Sequence, residues 1–175
     1  NAWLKLYDKP VFYFPKFFHP DPTVKRQSGF LMPTIENSST LGSSLNIPYY
    51  NVLADNKDLT ISPRLYTGEK ILLQSEYRQV NAKSNHILDL SLLTEKSADS
   101  NSKSHFFSKS TKRLDFTNFD ESILNLQIQQ TSSDTYLKTY KLKSPIINDN
   151  GSLTSTLGLS AYREDLSFDT NIYVY

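Results

Sequence analysis

The residues of this chain best suited to chemistry are few and far apart. Three histidines, His19, His86 and His105, stand alone: none has a second histidine two or four positions away, and the chain has no cysteine. Metal sites draw on such ligands at short, fixed spacings, so this pattern offers neither a metal site nor any other cofactor site. The serine-rich stretch Ser97–Ser110 lacks a Gly-x-Ser-x-Gly elbow and a base placed to activate a serine. Five scattered glycines build no phosphate-cradling loop, and nothing singles out one pair of carboxylates for acid–base work. The expectation is a protein that is not an enzyme.

What remains is charge and amide in regular placement. Arg64, Glu76 and Arg78 alternate with apolar neighbours, as do Asn125 and Gln127. They suit either a hydrated path for a charged ligand or a structural cross-strand ion pair. Lys25 and Arg26 sit beside a proline-rich stretch, where they either meet an anion or remain solvated linker charges. With 19 Lys+Arg against 18 Asp+Glu the net charge is +1, which argues against a nucleic-acid surface.

The elements that must carry these side chains are strands. Residues 1–24 hold four of the eight prolines (Pro10, Pro15, Pro20 and Pro22) and read as two short strands, Ala2–Tyr7 and Val11–Phe14, followed by a connection. From Gly29 the hydropathy alternates with period two. Leu59, Ile61 and Leu65 oppose Thr60, Ser62 and Arg64; Ile71, Leu73 and Tyr77 oppose Gln74, Glu76 and Arg78. Leu124, Leu126 and Ile128 oppose Asn125, Gln127 and Gln129; Leu153, Leu157 and Leu159 oppose Thr154, Thr156 and Ser160; Phe168, Ile172 and Val174 oppose Asp169, Asn171 and Tyr173.

Turn signals fall at Asp55-Asn56, Thr67-Gly68, Asn81–Asn85, Asn148–Gly151 and Glu164-Asp165, and Lys96–Ser104 reads as a longer solvated loop. Thr135–Lys143 is the one helix-like stretch, equally readable as irregular loop. The result is an all-β antiparallel meander of about eight or nine strands, each of around 9 to 12 residues, which matches the roughly 9 to 11 that a tilted strand needs to cross a bilayer. No segment approaches the roughly 20 apolar residues of a membrane helix, and the opening residues lack the pattern of a signal peptide. Period alone does not name the solvent: a soluble β-sandwich that binds glycan or lipid alternates in the same way.

Ordered motifs add to this reading. Pro10–Pro15 (PVFYFP), Arg26–Pro33 (RQSGFLMP) and Pro48–Tyr50 (PYY) are followed by Asp58–Arg64 (DLTISPR), Glu76–Arg78 (EYR) and Ser132–Tyr140 (SSDTYLKTY). In type and order they resemble the LptD family of lipopolysaccharide-assembly outer-membrane proteins, also called organic solvent tolerance proteins. Lys96–Asp120 carries none of the motifs. The resemblance implies that residues 1–26 are the end of a periplasmic β-jellyroll with its linker, and that 27–175 are the N-terminal part of a large outer-membrane β-barrel.

It further implies transport of lipopolysaccharide into the outer leaflet of a Gram-negative outer membrane, with the N-terminal end facing the periplasm. Pro33 and Pro48, in the first two barrel strands, would weaken a lateral gate; otherwise they are edge prolines that block aggregation. Arg64, Glu76, Arg78, Asn125 and Gln127 would face the lumen, and Lys25 and Arg26 the domain junction. Tyr49, Tyr50, Tyr66, Tyr77 and Tyr162 suit an interfacial girdle or packing beneath a loop. Implied partners are outer-membrane lipids, an LptE-like plug lipoprotein and an LptA-like periplasmic jellyroll bridge protein. A generic porin-type barrel would keep the fold and change the mechanism.

Overall fold

The computed structural model describes residues 2–6, 9–14, 26–68, 70–95, 102–147 and 152–174. The first two strands, β1 (Ala2–Leu6) and β2 (Lys9–Phe14), pair antiparallel as a two-stranded sheet. A second sheet holds eleven strands: β3 (Gly29–Phe30), β4 (Thr34–Ser38), β5 (Gly42–Asn46), β6 (Tyr49–Ala54), β7 (Lys57–Tyr66), β8 (Lys70–Asn81), β9 (Ser84–Glu95), β10 (Lys103–Leu114), β11 (Glu121–Thr131), β12 (Ser155–Arg163) and β13 (Leu166–Val174). Both β5 and β6 pair with β7, and β3 pairs with β6 while β4 pairs with β5. β3 with β4, and β5 with β6, are therefore two long strands broken in the middle. Counted so, the sheet is a nine-strand antiparallel meander in which every run pairs with its sequence neighbour. Among the described residues its two edges do not meet.

Turns separate the strands at Asp55-Asn56, Thr67-Gly68, Ala82-Lys83 and Glu164-Asp165, where Asn, Asp and Gly relieve the backbone constraints of a tight reversal. The expected turn Asn148–Gly151 lies outside the described residues. The Lys96–Ser104 loop is shorter than expected, because Lys103 and Ser104 already belong to β10. Serine and lysine there mimic loop composition, yet His105 and Phe107 alternate with the exposed Phe106 in a regular strand.

The alternation sets two unlike faces. On one, Tyr66, Leu72, Leu93 and Phe107 are buried, and what buries them is the connection between β11 and β12. Its helix α1 (Tyr136–Thr139) and the turns after it fold back over the sheet, so that Tyr136, Leu137, Tyr140, Leu142 and Ile146 complete one core cluster with the strand residues. Each such aromatic or aliphatic side chain contributes on the order of 1.5–3 kcal/mol by leaving water. The Thr135–Lys143 stretch is thus both things the sequence allowed: one helical turn, then irregular chain.

The opposite face is bare and apolar. Ile35, Leu65, Ile71, Leu73, Leu90, Leu92, Phe106, Leu126, Leu157, Phe168 and Ile172 are all exposed. They adjoin across the ladder as well: Leu65 pairs with Ile71, Leu73 with Leu92, Leu90 with Phe106, and Leu157 with both Leu126 and Ile172. Isolated exposed leucines are ordinary, whereas a contiguous apolar band marks a surface made for something other than water.

Candidate functional site: the covered face and its broken first strands

The covered face carries the polar residues that the period assigned to it. Register places Arg64 beside Leu72, Glu76 between Thr60 and Asp89, and Arg78 between Asp58 and Ile87. Asn125 accepts a hydrogen bond from Thr111 at 2.8 Å, and Gln127 lies between Lys109 and Thr156. These residues share a face without forming one cluster. Arg78 approaches Glu76 on its own strand at 3.5 Å, but its cross-strand partner is Asp58, at 2.8 Å.

Asp58 is the centre of a network that sequence reasoning missed. Only 7% of its side chain is exposed, and one carboxylate oxygen meets the guanidinium of Arg26 while the other meets Arg78. Tyr50 donates to Asp58 at 3.2 Å and accepts from Arg26 Nε at 2.9 Å. A near-buried carboxylate needs such charge-assisted partners. The four residues precede β3 or lie on β6, β7 and β8, so the network ties four successive runs together at one end of the sheet. The signal available was the period: Asp58 falls in step with Thr60, Ser62 and Arg64. Of the two junction residues expected, Arg26 is here, and Lys25 lies outside the described residues.

Farther along the same strands, Arg64 donates to the backbone carbonyl of Tyr140 at 3.0 Å and stands 3.8 Å from Glu36 on β4. Tyr66 meets Tyr140 edge-on, ring centres 6.0 Å apart. Tyr50 and Tyr66 therefore serve the covered face and not an interfacial girdle, because even-numbered positions of these strands point inward. Tyr49 and Tyr77 take the other face by the same alternation.

The folded-back connection is registered by a buried polar chain. His105 Nε2 stands 3.3 Å from Asp89, both side chains fully buried. Its Nδ1 is 2.6 Å from Ser91 Oγ, which lies 2.8 Å from the Tyr136 hydroxyl. Burial pushes the Tyr136 phenol up to about 12, so it is neutral and able to donate. A histidine thus stands beside a serine, Ser91, that lies outside the Ser97–Ser110 stretch. The order Asp, His, Ser invites comparison with a hydrolase triad, but the ring is turned the other way, Nδ1 to the serine, its Nε2 makes no hydrogen bond to Asp89, and Tyr136 covers the serine. Gln74 adds a clasp, donating to Asp89 at 3.1 Å and to the Lys143 carbonyl at 2.9 Å. His86, on the bare face, bonds Ser84 and Ser110, and His19 lies outside the described residues. Among the described residues no three His, Cys, Asp or Glu side chains gather as a metal site.

Pro33 and Pro48 fall in the two strand breaks. Between the β3–β6 and β4–β5 ladders, two residues, Met32 and Pro33, face one, Ile47, and the hydrogen bond across the gap is Leu31 N–H to the Pro48 carbonyl at 2.8 Å. A third proline continues the line. Pro63 on β7 stands opposite Ile47 and accepts from its N–H at 3.1 Å. A hydrogen-bonded antiparallel pair normally exchanges two bonds; lacking N–H groups, Pro48 and Pro63 each leave their pair with one.

Comparison with known proteins agrees with the motifs. A family model described as "LptD protein" matches residues 1–117. A protein named "LPS-assembly protein LptD" from Legionella pneumophila (strain Paris) is 33% identical over 153 residues, covering 80% of this chain and 18% of that protein. Its namesake from Pseudoalteromonas atlantica is 29% identical over 168 residues (95% and 22%), and that from Pseudomonas aeruginosa (strain UCBPP-PA14) is 38% identical over 96 residues (55% and 10%). The chain thus spans about a fifth or less of the relatives it matches.

Proposed function

Since this chain belongs to the LptD family, we propose that it is the leading portion of an outer-membrane barrel that carries lipopolysaccharide to the surface of a Gram-negative cell. The observation that carries this reading is the pairing of a bare, laterally continuous apolar face with a polar face. In a barrel the first meets lipid and the second lines the lumen. A soluble sandwich would set a second sheet on the apolar band, and what the chain supplies instead is a cover for the opposite face.

In this reading the end of the sheet bearing the turns at 55–56, 82–83 and 164–165 faces the periplasm, and the end from which the longer connection 132–147 leaves β11 faces outward. Outer-membrane barrels share that asymmetry. Arg64, Glu76, Arg78, Asn125 and Gln127 line a hydrated path for a phosphorylated saccharide. Pro33 and Pro48 thin the ladder beside the closing seam, so that the lipid part leaves sideways into the membrane. Residues 1–26 bring the periplasmic domain, and the partners are an LptA-like bridge and an LptE-like plug.

The test is Leu126→Arg or Leu157→Arg in the full-length protein. An arginine on the lipid face at mid-membrane costs about 2–4 kcal/mol, so membrane assembly should fall. Thr156→Arg, on the other face, should assemble normally. Equal tolerance on both faces would sink the membrane reading.

A further inference from the structure

We infer that the gate moves as a hinged flap: the outer half of the first hairpin, Thr34–Asn46, swings about the proline row while the other end of the same strands stays fixed. This rests on the gate reading and adds to it a third hinge residue, Pro63, and a direction.

Two observations carry it. First, the broken pairs are adjacent: Leu31 faces Pro48 and Ile47 faces Pro63, so both seams of the second run lose a bond at one height. A gate confined to the first strand would need only the first of these losses. Second, below the row the Asp58 network with Arg26, Tyr50 and Arg78 fastens four runs together. Above it, β5 pairs with β7 at Ser44–Tyr66, Leu45–Leu65 and Asn46–Arg64 with one further bond from the Thr67 N–H to the Ser43 carbonyl, and among the described residues the one ion pair reaching β4, Arg64 with Glu36, is a looser 3.8 Å.

The experiment locks each end in turn in the full-length protein. The pairs Leu45→Cys with Leu65→Cys, above the row, and Asn51→Cys with Leu59→Cys, below it, occupy equivalent register positions on the lipid side. Opposed residues of hydrogen-bonded antiparallel pairs have Cα atoms about 5.5 Å apart, within disulfide reach. Disulfide formation is scored by thiol alkylation and export by surface labelling of lipopolysaccharide. Oxidising the upper pair should lower export severalfold and reductant should restore it; the oxidised lower pair should export normally. Pro63→Ala should lower export severalfold at unchanged protein level in the membrane.

Normal export with the upper pair locked, beside a failing Pro33→Ala/Pro48→Ala variant, would overturn the flap and leave the gate standing. Failure with either pair locked would mean the whole seam opens and would also overturn the flap. Normal export by both the locked upper pair and the double proline variant would remove the gate itself, and the flap with it.

Discussion

Arg64 and Tyr140 are 76 residues apart in sequence, and the guanidinium of one donates to the backbone carbonyl of the other at 3.0 Å. The same guanidinium stands 3.8 Å from Glu36. One side chain on the third run thus touches both the connection that covers the sheet and the first broken strand. Leu41, in the turn between β4 and β5, packs on the same core cluster, so the hairpin tip and the cover share one apolar contact surface.

Arg64→Ala should therefore loosen two elements at once. A hydrogen bond from a charged donor contributes about 1.5–3 kcal/mol. In full-length protein in detergent, residues 132–147 should become more susceptible to protease, and cells should admit large antibiotics that an intact outer membrane excludes. Arg64→Lys keeps the charge but not the planar fork and should fall between wild type and Arg64→Ala. Unchanged proteolysis in both variants would show that the contact does not hold the cover down.

Tyr136 separates packing from hydrogen bonding. Tyr136→Phe removes the hydroxyl facing Ser91 and should cost about 1–3 kcal/mol by leaving Ser91 and His105 less well paired. Tyr136→Ala also opens a cavity and should cost about 3–5 kcal/mol. Heat-dependent gel mobility of the membrane protein reports both; equal losses would mean that the hydroxyl does all the holding.

The same residue gives a pH dependence with a definite sign. Its phenol is raised from 10 to about 12 by burial, so the neutral form is favoured in the folded state. The associated stability is constant below about pH 10 and is lost as pH rises through 10 toward 12. Thermal unfolding across that interval should show the loss in wild type and a smaller one in Tyr136→Phe.

Asp58→Asn should destabilise the end of the first four runs that bears the 55–56 turn. Arg26 and Arg78 would each exchange a carboxylate for an amide, and because both are partly exposed the loss should stay near 1–3 kcal/mol. Salt should narrow the gap between wild type and variant; a gap indifferent to salt would mean Asp58 acts by shape alone.

Much of this architecture was legible because period two is a local property: Leu124 to Gln129 declare their faces without knowing their neighbours. What covers a face is not local. The Tyr136/Tyr140 spacing marks one helical turn, but nothing in SSDTYLKTY says that it lands on Leu72, Leu93 and Phe107. Asp89, Ser91 and His105 were missed for a related reason. Each is unremarkable in its own strand, and only the register of β9 with β10 sets Ser91 opposite His105. Pro63 was visible as a strand proline, but which neighbour loses the bond depends on the seam its missing N–H faces.

The folded-back connection also sets an order of events. Every strand residue it covers, Tyr66, Leu72, Leu93 and Phe107, precedes it in the chain. Docking therefore waits for nothing that follows: once the strands through β11 are aligned, residues 132–147 can close over them. Because distant contacts must first overcome loop-closure entropy, this docking should come late within the segment, yet ahead of anything C-terminal to it. A growing sheet would then present lipid-compatible side chains outward while its hydrated side is already occupied. The segment would then be a two-sided unit whose polar trough is already closed over where residues 132–147 lie.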